Sequence, residues 1–177
     1  NLPQDVQAQF IKLQSISLCA NVDGQMATYL MVSPPQPGDE SYDLYAQERD
    51  GILNDLKEKA LILGEGLNRI DGMYVDVPEG AMYAFVRFEL PHARDVNPEK
   101  MTPEERRAYE ARRDSDYCLA LLEETGICVV PGSGFGQLPG TLHFRTTFLP
   151  PRDEIQELVV KIQNFHGRYI EKLRRQQ

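Results

Sequence analysis

Three prolines in four positions, Pro34, Pro35 and Pro37, set the first limit on this chain. Each fixes its own φ, lacks an amide proton and biases the preceding residue away from the helical region, so residues 33–39 must run extended. The chain is thereby cut into a short first piece and a long second one. In the first, Val6, Phe10, Leu13 and Ala20 recur at helical spacing over residues 6–20, Asn21-Val22-Asp23-Gly24 has turn chemistry, and a second short helix is expected over 25–32. In the second, residues 41–68 read as one helix with Tyr45, Ile52, Leu56, Leu63 and Leu67 close to a single stripe.

Two strands are expected next, over 73–77 and 81–90, joined by a short hairpin-type turn at Pro78-Glu79-Gly80. Within the second strand Met82, Ala84, Val86, Phe88 and Leu90 alternate with Tyr83, Phe85, Arg87 and Glu89, which gives one apolar face and one amphipathic face. Residues 91–100 read as polar loop. Thr102-Pro103-Glu104-Glu105 is a helix start, with Thr as N-cap, Pro at the first helical position and Glu three residues after the cap. That helix places Tyr117, Cys118, Leu121 and Leu122 inward and stops at Gly126. A short buried strand at 127–130, the loop Pro131-Gly132-Ser133-Gly134-Phe135-Gly136, a strand over 141–149 and a strongly amphipathic helix over 152–173 complete the order. The fold class is α/β: a small-domain sheet of about four strands covered by helices on one side, over residues 40–177, preceded by a helical piece over 1–39.

Composition removes several functions. Of 177 residues, 41% are hydrophobic, which supports a core. A formal charge of -8 repels nucleic acid and anionic membranes, so neither is expected as a partner. No apolar run approaches the roughly 20 residues that cross a bilayer, and residues 1–5 lack signal-peptide character. Cys19, Cys118 and Cys128 are three in number and widely spaced, which suggests neither a disulfide framework nor a metal knuckle and fits a reducing, cytoplasmic type of compartment. Cys118 and Cys128 read as small buried hydrophobes. His92, His143 and His166 stand at no metal-ligand spacing, and no metal is expected.

One residue invites a chemical role. In the strand over 141–148, Leu142, Phe144, Thr146 and Phe148 share a face, and His143, Arg145 and Thr147 share the other. An arginine in mid-strand among aromatic and β-branched neighbours meets a carboxylate or phosphate, or reaches solvent. Its planar fork suits a bidentate carboxylate, so a small acid or amino acid is one reading and an internal salt bridge the other. Arg87 carries the same two readings. The loop at 132–136 lacks the Lys-Ser/Thr of a phosphate loop and precedes a strand, so it reads as a tight turn with Phe135 walling a pocket. No nucleophile stands beside a base.

The run from Leu121 through Gly126-Ile127-Cys128-Val129-Val130-Pro131-Gly132-Ser133-Gly134-Phe135-Gly136-Gln137, followed by Gly140-Thr141-Leu142-His143-Phe144-Arg145-Thr146-Thr147-Phe148-Leu149-Pro150-Pro151, resembles the C-terminal part of the alanine aminotransferases. These belong to the class I, fold-type I pyridoxal-phosphate aminotransferases. Ser33-Pro34-Pro35-Gln36-Pro37 and Gly80-Ala81-Met82-Tyr83 resemble the same family. The resemblance implies that the parent protein moves an amino group between L-alanine and 2-oxoglutarate, with pyridoxal 5'-phosphate as cofactor and small amino acids and 2-oxo acids as partners, in a homodimer. It implies that Arg145 grips the substrate α-carboxylate, that Gly80, Ala81, Met82 and Tyr83 face the cleft, and that Ser133 and Phe135 border it. Among Lys12, Lys57, Lys59, Lys100, Lys161 and Lys172, none has the Ser-rich neighbourhood of the cofactor lysine. No catalytic residue and no cofactor-binding residue is therefore expected in this chain, and no bound cofactor. On the resemblance, residues 1–39 are a helical remnant of the large domain, residues 40–177 hold the connecting helix and the small domain, and the segment alone is inactive. The organelle would be written upstream, with a mitochondrial location open beside the cytoplasmic one. A free-standing amino-acid or oxo-acid binding module is the alternative.

Overall fold

The computed structural model describes residues 2–92 and 96–175, in two compact units, Asn1–Asp50 and Gly51–Gln177. The first unit holds helices α1 (Gln4–Gln14) and α2 (Val22–Val32) and the start of α3 (Tyr42–Asn68). Helix α1 ends earlier than its apolar spacing suggests. Ser15 Oγ turns back to the carbonyl of Lys12 at 2.7 Å, so a side-chain bond competes with the helical ladder and a turn replaces residues 15–20 of the expected helix. Asn21 caps α2 by accepting the Gly24 amide at 2.9 Å. No residue of α1 or α2 is buried.

The second unit contains β1 (Met73–Tyr74), β2 (Tyr83–Phe88), α4 (Pro103–Thr125), β3 (Val130–Pro131), β4 (Leu142–Thr147) and α5 (Arg152–Arg175). One-turn 3-10 segments at Pro98–Lys100 and Gly132–Phe135 interrupt its loops. The strands form one antiparallel sheet in the order β1-β2-β4-β3, with Phe85 opposite Arg145 and Val130 opposite the same arginine on the other side. The α/β reading with about four strands therefore holds.

Alternation works as expected along β2 and β4: Ala84, Val86, Phe88, Leu142, Phe144 and Thr146 are buried, whereas their sequence neighbours face outward. The buried face meets Tyr117 and Leu121 of α4, Ile155, Ile162 and Phe165 of α5, and Leu63 and Leu67 of α3 in one core. Tyr117 is its hub. The Tyr117 ring stacks on Phe88 at 4.2 Å between centroids, stands edge-on to Phe165 at 5.1 Å, and its hydroxyl lies 3.0 Å from His166 Nδ1. Burying a side chain of this size contributes roughly 1.5–3 kcal/mol, and the pairing of its hydroxyl avoids the cost of a stranded polar group. The capping box at α4 is complete, with the Glu105 amide donating to Thr102 Oγ1 and Thr102 N–H donating to Glu105. Gly126 ends the helix at φ 76°, a conformation in which a Cβ is strained.

Several expectations are corrected. Strand β1 is two residues long, because the Asn68 side-chain amide takes both the N–H and the C=O of Val75 at 2.9 and 2.8 Å and so withdraws them from the ladder. The β1–β2 connection is therefore a wide loop over 75–82 rather than a tight turn at Pro78-Glu79-Gly80. Cys128 is exposed: Val129 points inward, and period two turns Cys128 and Val130 out. Cys118 is buried, and burial pushes its thiol up to about 12, which fits an unreactive core residue. Leu122 and Ile52 are exposed, since Leu121 and Leu63 occupy the inward arcs of their helices. The buried stripe of α5 is Ile155, Ile162, Phe165 and His166.

Replacing Tyr117 by Ala should cost about 3–5 kcal/mol of unfolding free energy, and Tyr117→Phe about 1 kcal/mol, because the phenylalanine keeps the ring contacts. Denaturant midpoints of the two variants check this, and equal losses would contradict the hub role.

Candidate functional site

The outward face of β2 and β4 carries the chemistry. Register sets Tyr83, Phe85 and Arg87 beside Thr147, Arg145 and His143. Arg145 is half-buried, and its guanidinium carbon lies 4.9 Å from the centroid of the Tyr83 ring and 4.5 Å from that of Phe135. Two aromatic faces thus cover the guanidinium, each contributing about 0.5–2 kcal/mol of cation–π attraction. Among the described residues no carboxylate or hydrogen-bond acceptor engages it. Among the described residues the internal salt bridge left open for Arg145 is not formed, whereas Arg87 does pair with Glu89 at 3.1 Å and lies over Tyr74 at 5.5 Å. A half-buried arginine with five N–H donors, covered by two aromatic rings, has the chemistry to accept a planar anion as partner.

Phe135 reaches this place from the 3-10 turn between β3 and β4. Three contacts set that turn. Asp114, wholly buried on α4, accepts the Ser133 amide at 3.0 Å and Gln137 Nε2 at 2.6 Å on the same oxygen, Oδ2. Gln137 Oε1 then accepts from His143 Nδ1 at 3.0 Å, which fixes the orientation of the amide and puts the imidazole proton on Nδ1. His143 stacks flat on Phe85, at 4.6 Å and 7°, and Phe85 meets Phe135 edge-on at 6.0 Å. At Gly132 a Cβ would meet His143 Cβ at 2.5 Å and its carbonyl at 2.8 Å, so no other residue fits between turn and strand.

Burial lifts the Asp114 carboxyl from its ordinary 3.8 to about 6, opposed by hydrogen bonds from Gln137 and the backbone of His143 and Ser133, with nearby Glu110 adding to the rise. Burial, with Arg87 nearby, lowers the pKa of His143, which therefore stands neutral at pH 7.

Of the residues singled out in the sequence, Tyr83, Phe135 and Arg145 come together. Ser133 contributes its amide to the turn. Gly80 and Ala81 line a separate cavity of about 650 Å³ with Leu53, Leu56, Lys57, Ala60, Val77 and Phe148, and Ala81 adopts φ 57° there. Met82 offers its carbonyl to the Phe148 amide at 3.3 Å. Asp114 and Gln137 escaped the sequence reading. The signal for Asp114 was present: it lies three, four and seven positions before Tyr117, Cys118 and Leu121, on the buried stripe of α4.

Lys12, Lys57, Lys100, Lys161 and Lys172 are exposed, and Lys59 pairs with Asp55 at 2.6 Å. No group of three or more His, Cys, Asp or Glu among the described residues is placed to hold a metal.

Comparison with known proteins gives this geometry a context. No family model matches the chain. The probable mitochondrial alanine aminotransferase of Dictyostelium discoideum is 48% identical over 169 residues, which are 96% of this chain and 30% of that protein. An inactive alanine aminotransferase of Saccharomyces cerevisiae is 44% identical over 167 residues, 94% of this chain and 31% of that protein. Among solved structures, the alanine aminotransferase of Pyrococcus furiosus superposes with a TM-score of 0.65 at 26% identity, over 93% of this chain and 35% of that one. The fold is thus that of fold-type I aminotransferases. Within that class the sequence kinship is with the alanine aminotransferases, and the chain spans about 30% of the length of the curated relatives it matches.

The raised Asp114 carboxyl couples folding to pH. The folded chain keeps a proton that the unfolded chain releases near 3.8, so this carboxyl contributes stability that is complete below about pH 4 and lost as pH rises through about 6. Relative to Asp114→Asn, the wild type should lose unfolding free energy across that window in denaturation series. A pH-independent difference would show that the carboxyl titrates normally.

Proposed function

We propose that the chain is the carboxylate-recognising part of a transaminase that converts L-alanine and 2-oxoglutarate to pyruvate and L-glutamate, and that Arg145 is its substrate-binding residue. The observation that carries this reading is the guanidinium lying over the rings of Tyr83 and Phe135 with no acid as partner among the described residues. Each of the four reaction partners carries an α-carboxylate, and a bidentate arginine recognises that common group regardless of the rest of the molecule. This suits a cycle in which two different substrates enter one site in turn.

The parent protein uses pyridoxal 5'-phosphate, a carrier that accepts the amino group from one substrate and returns it to the other. Its lysine and phosphate donors belong to parts of the parent outside this chain. Residues 1–39 are the helical edge of the parent's large domain, residues 40–177 the connecting helix and small domain, and the parent is a homodimer. The segment alone is inactive. Free cysteines suit either a cytoplasmic or a mitochondrial-matrix setting, and the named mitochondrial relative supports the second.

In the full-length protein, Arg145→Gln should lower kcat/KM for both L-alanine and 2-oxoglutarate by roughly 30–150-fold, the equivalent of losing a charge-assisted pair worth about 2–3 kcal/mol. Unchanged steady-state kinetics would remove the assigned role. The 177-residue chain, incubated with pyridoxal phosphate and treated with borohydride, should carry no covalent adduct by mass spectrometry. Micromolar calorimetric binding of 2-oxoglutarate by that chain alone would instead favour a free-standing binding module.

A further inference from the structure

We infer that Asp114 is a positioning residue for carboxylate recognition: from the helix side of the sheet it fixes the turn that lays Phe135 over the Arg145 guanidinium. The inference rests on the reading of Arg145 as the carboxylate grip. Asp114 touches neither Arg145 nor the face where substrate would lie, and its effect passes around the sheet edge through backbone.

One carboxylate oxygen holds both ends of the turn, accepting the Ser133 amide at 3.0 Å and the Gln137 side chain at 2.6 Å, and Phe135 lies between these anchors. A wholly buried carboxylate is costly, and filling the space alone is cheaper with an apolar residue. What an ionised acceptor adds is strength, since its hydrogen bonds are roughly twice those of neutral pairs. That strength falls on a turn whose aromatic ring is 45% exposed and would otherwise sample several rotamers. Phe135 is thus located twice, through its backbone by Asp114 and through its ring by Phe85, which is itself held by stacking on His143. Gln137 ties the two supports together, donating to Asp114 and accepting from His143.

The consequence for binding is directional. With Tyr83 and Phe135 over the guanidinium, the approach left to a ligand is along the N–H edge, where the two oxygens of a carboxylate match the fork. A loosened turn uncovers one face, lets water reach the cation and lets the fork rotate. Substrate binding then weakens while the reacting centre, built elsewhere, keeps its rate.

The test is a double-mutant cycle in the full-length protein with Asp114→Ala, Phe135→Ala and the double variant, beside Arg145→Gln and Asp114→Asn. KM and kcat are measured for L-alanine and 2-oxoglutarate, together with the calorimetric Kd of 2-oxoglutarate. Asp114→Ala and Phe135→Ala should each raise KM and Kd roughly tenfold with kcat within about twofold, and the double variant should go no further. Asp114→Asn, which keeps an oxygen able to accept both bonds, should return KM to within about threefold of wild type. Full additivity, a fall in kcat with KM unchanged, or an Asp114→Asn as impaired as the alanine variant would each overturn the inference. If Asp114→Ala does not fold, Phe135→Ala decides, and an unchanged KM there also overturns it. If Arg145→Gln itself leaves KM unchanged, the carboxylate reading fails first; if it raises KM while the other variants do not, the Asp114 inference fails alone.

Discussion

A strand shows successive side chains to opposite faces, so burying Leu142, Phe144 and Thr146 obliges His143, Arg145 and Thr147 to the other side. Strand β2 obeys the same rule in antiparallel register, which brings Tyr83 and Phe85 alongside Arg145. The core beneath then has one task, to hold those two strands in that register. Tyr117 does most of it by touching Phe88, Phe144, Phe165 and His166 from the middle of α4. A slip of one residue in β4 would send Arg145 into the core and Phe144 into solvent, at a cost no surface contact offsets.

Helix α4 acts on both sides of this arrangement. Its apolar stripe carries Tyr117 and Leu121 into the core, and the same stripe one turn earlier carries Asp114, an acid where an apolar residue is the rule. That exception reaches the turn at Gly132–Phe135 and, through it, the outward face of the sheet. Sheet packing and the anchoring of the turn are therefore joined in one helix: Tyr117 and Leu121 lie in line with the residue that holds Ser133 and Gln137.

Much of this was legible in the sequence because the relevant signals are local. The alternation in β2 and β4, the Thr102–Glu105 capping box and the Gly126 stop are each written within a few residues, and each appears as read. What was not legible depended on partners distant in sequence or on a single competing side chain. The length of β1 was decided by Asn68, which captures Val75, and the end of α1 by Ser15. The partnership of Arg145 with Tyr83 and Phe135 joins residues from three separate segments, so spacing left a salt bridge open as an alternative, and among the described residues the fold gives Arg145 two rings and no acid. Asp114 was readable as an acid on an apolar stripe, but its partners Ser133 and Gln137 follow only from the fold.

The kinship with alanine aminotransferases and the geometry of the arginine support one account from independent directions, yet similarity alone does not carry it, since one relative of comparable identity is named as inactive. The central claim is that the edge of the Arg145 guanidinium receives a carboxylate while Tyr83 and Phe135 cover its faces. The most direct test is a crystal structure of the full-length protein with 2-oxoglutarate. The account predicts two carboxylate oxygens about 2.7–2.9 Å from guanidinium nitrogens of Arg145, between the two rings. A ligand carboxylate bound elsewhere, with Arg145 paired to an acid of the protein, would contradict it.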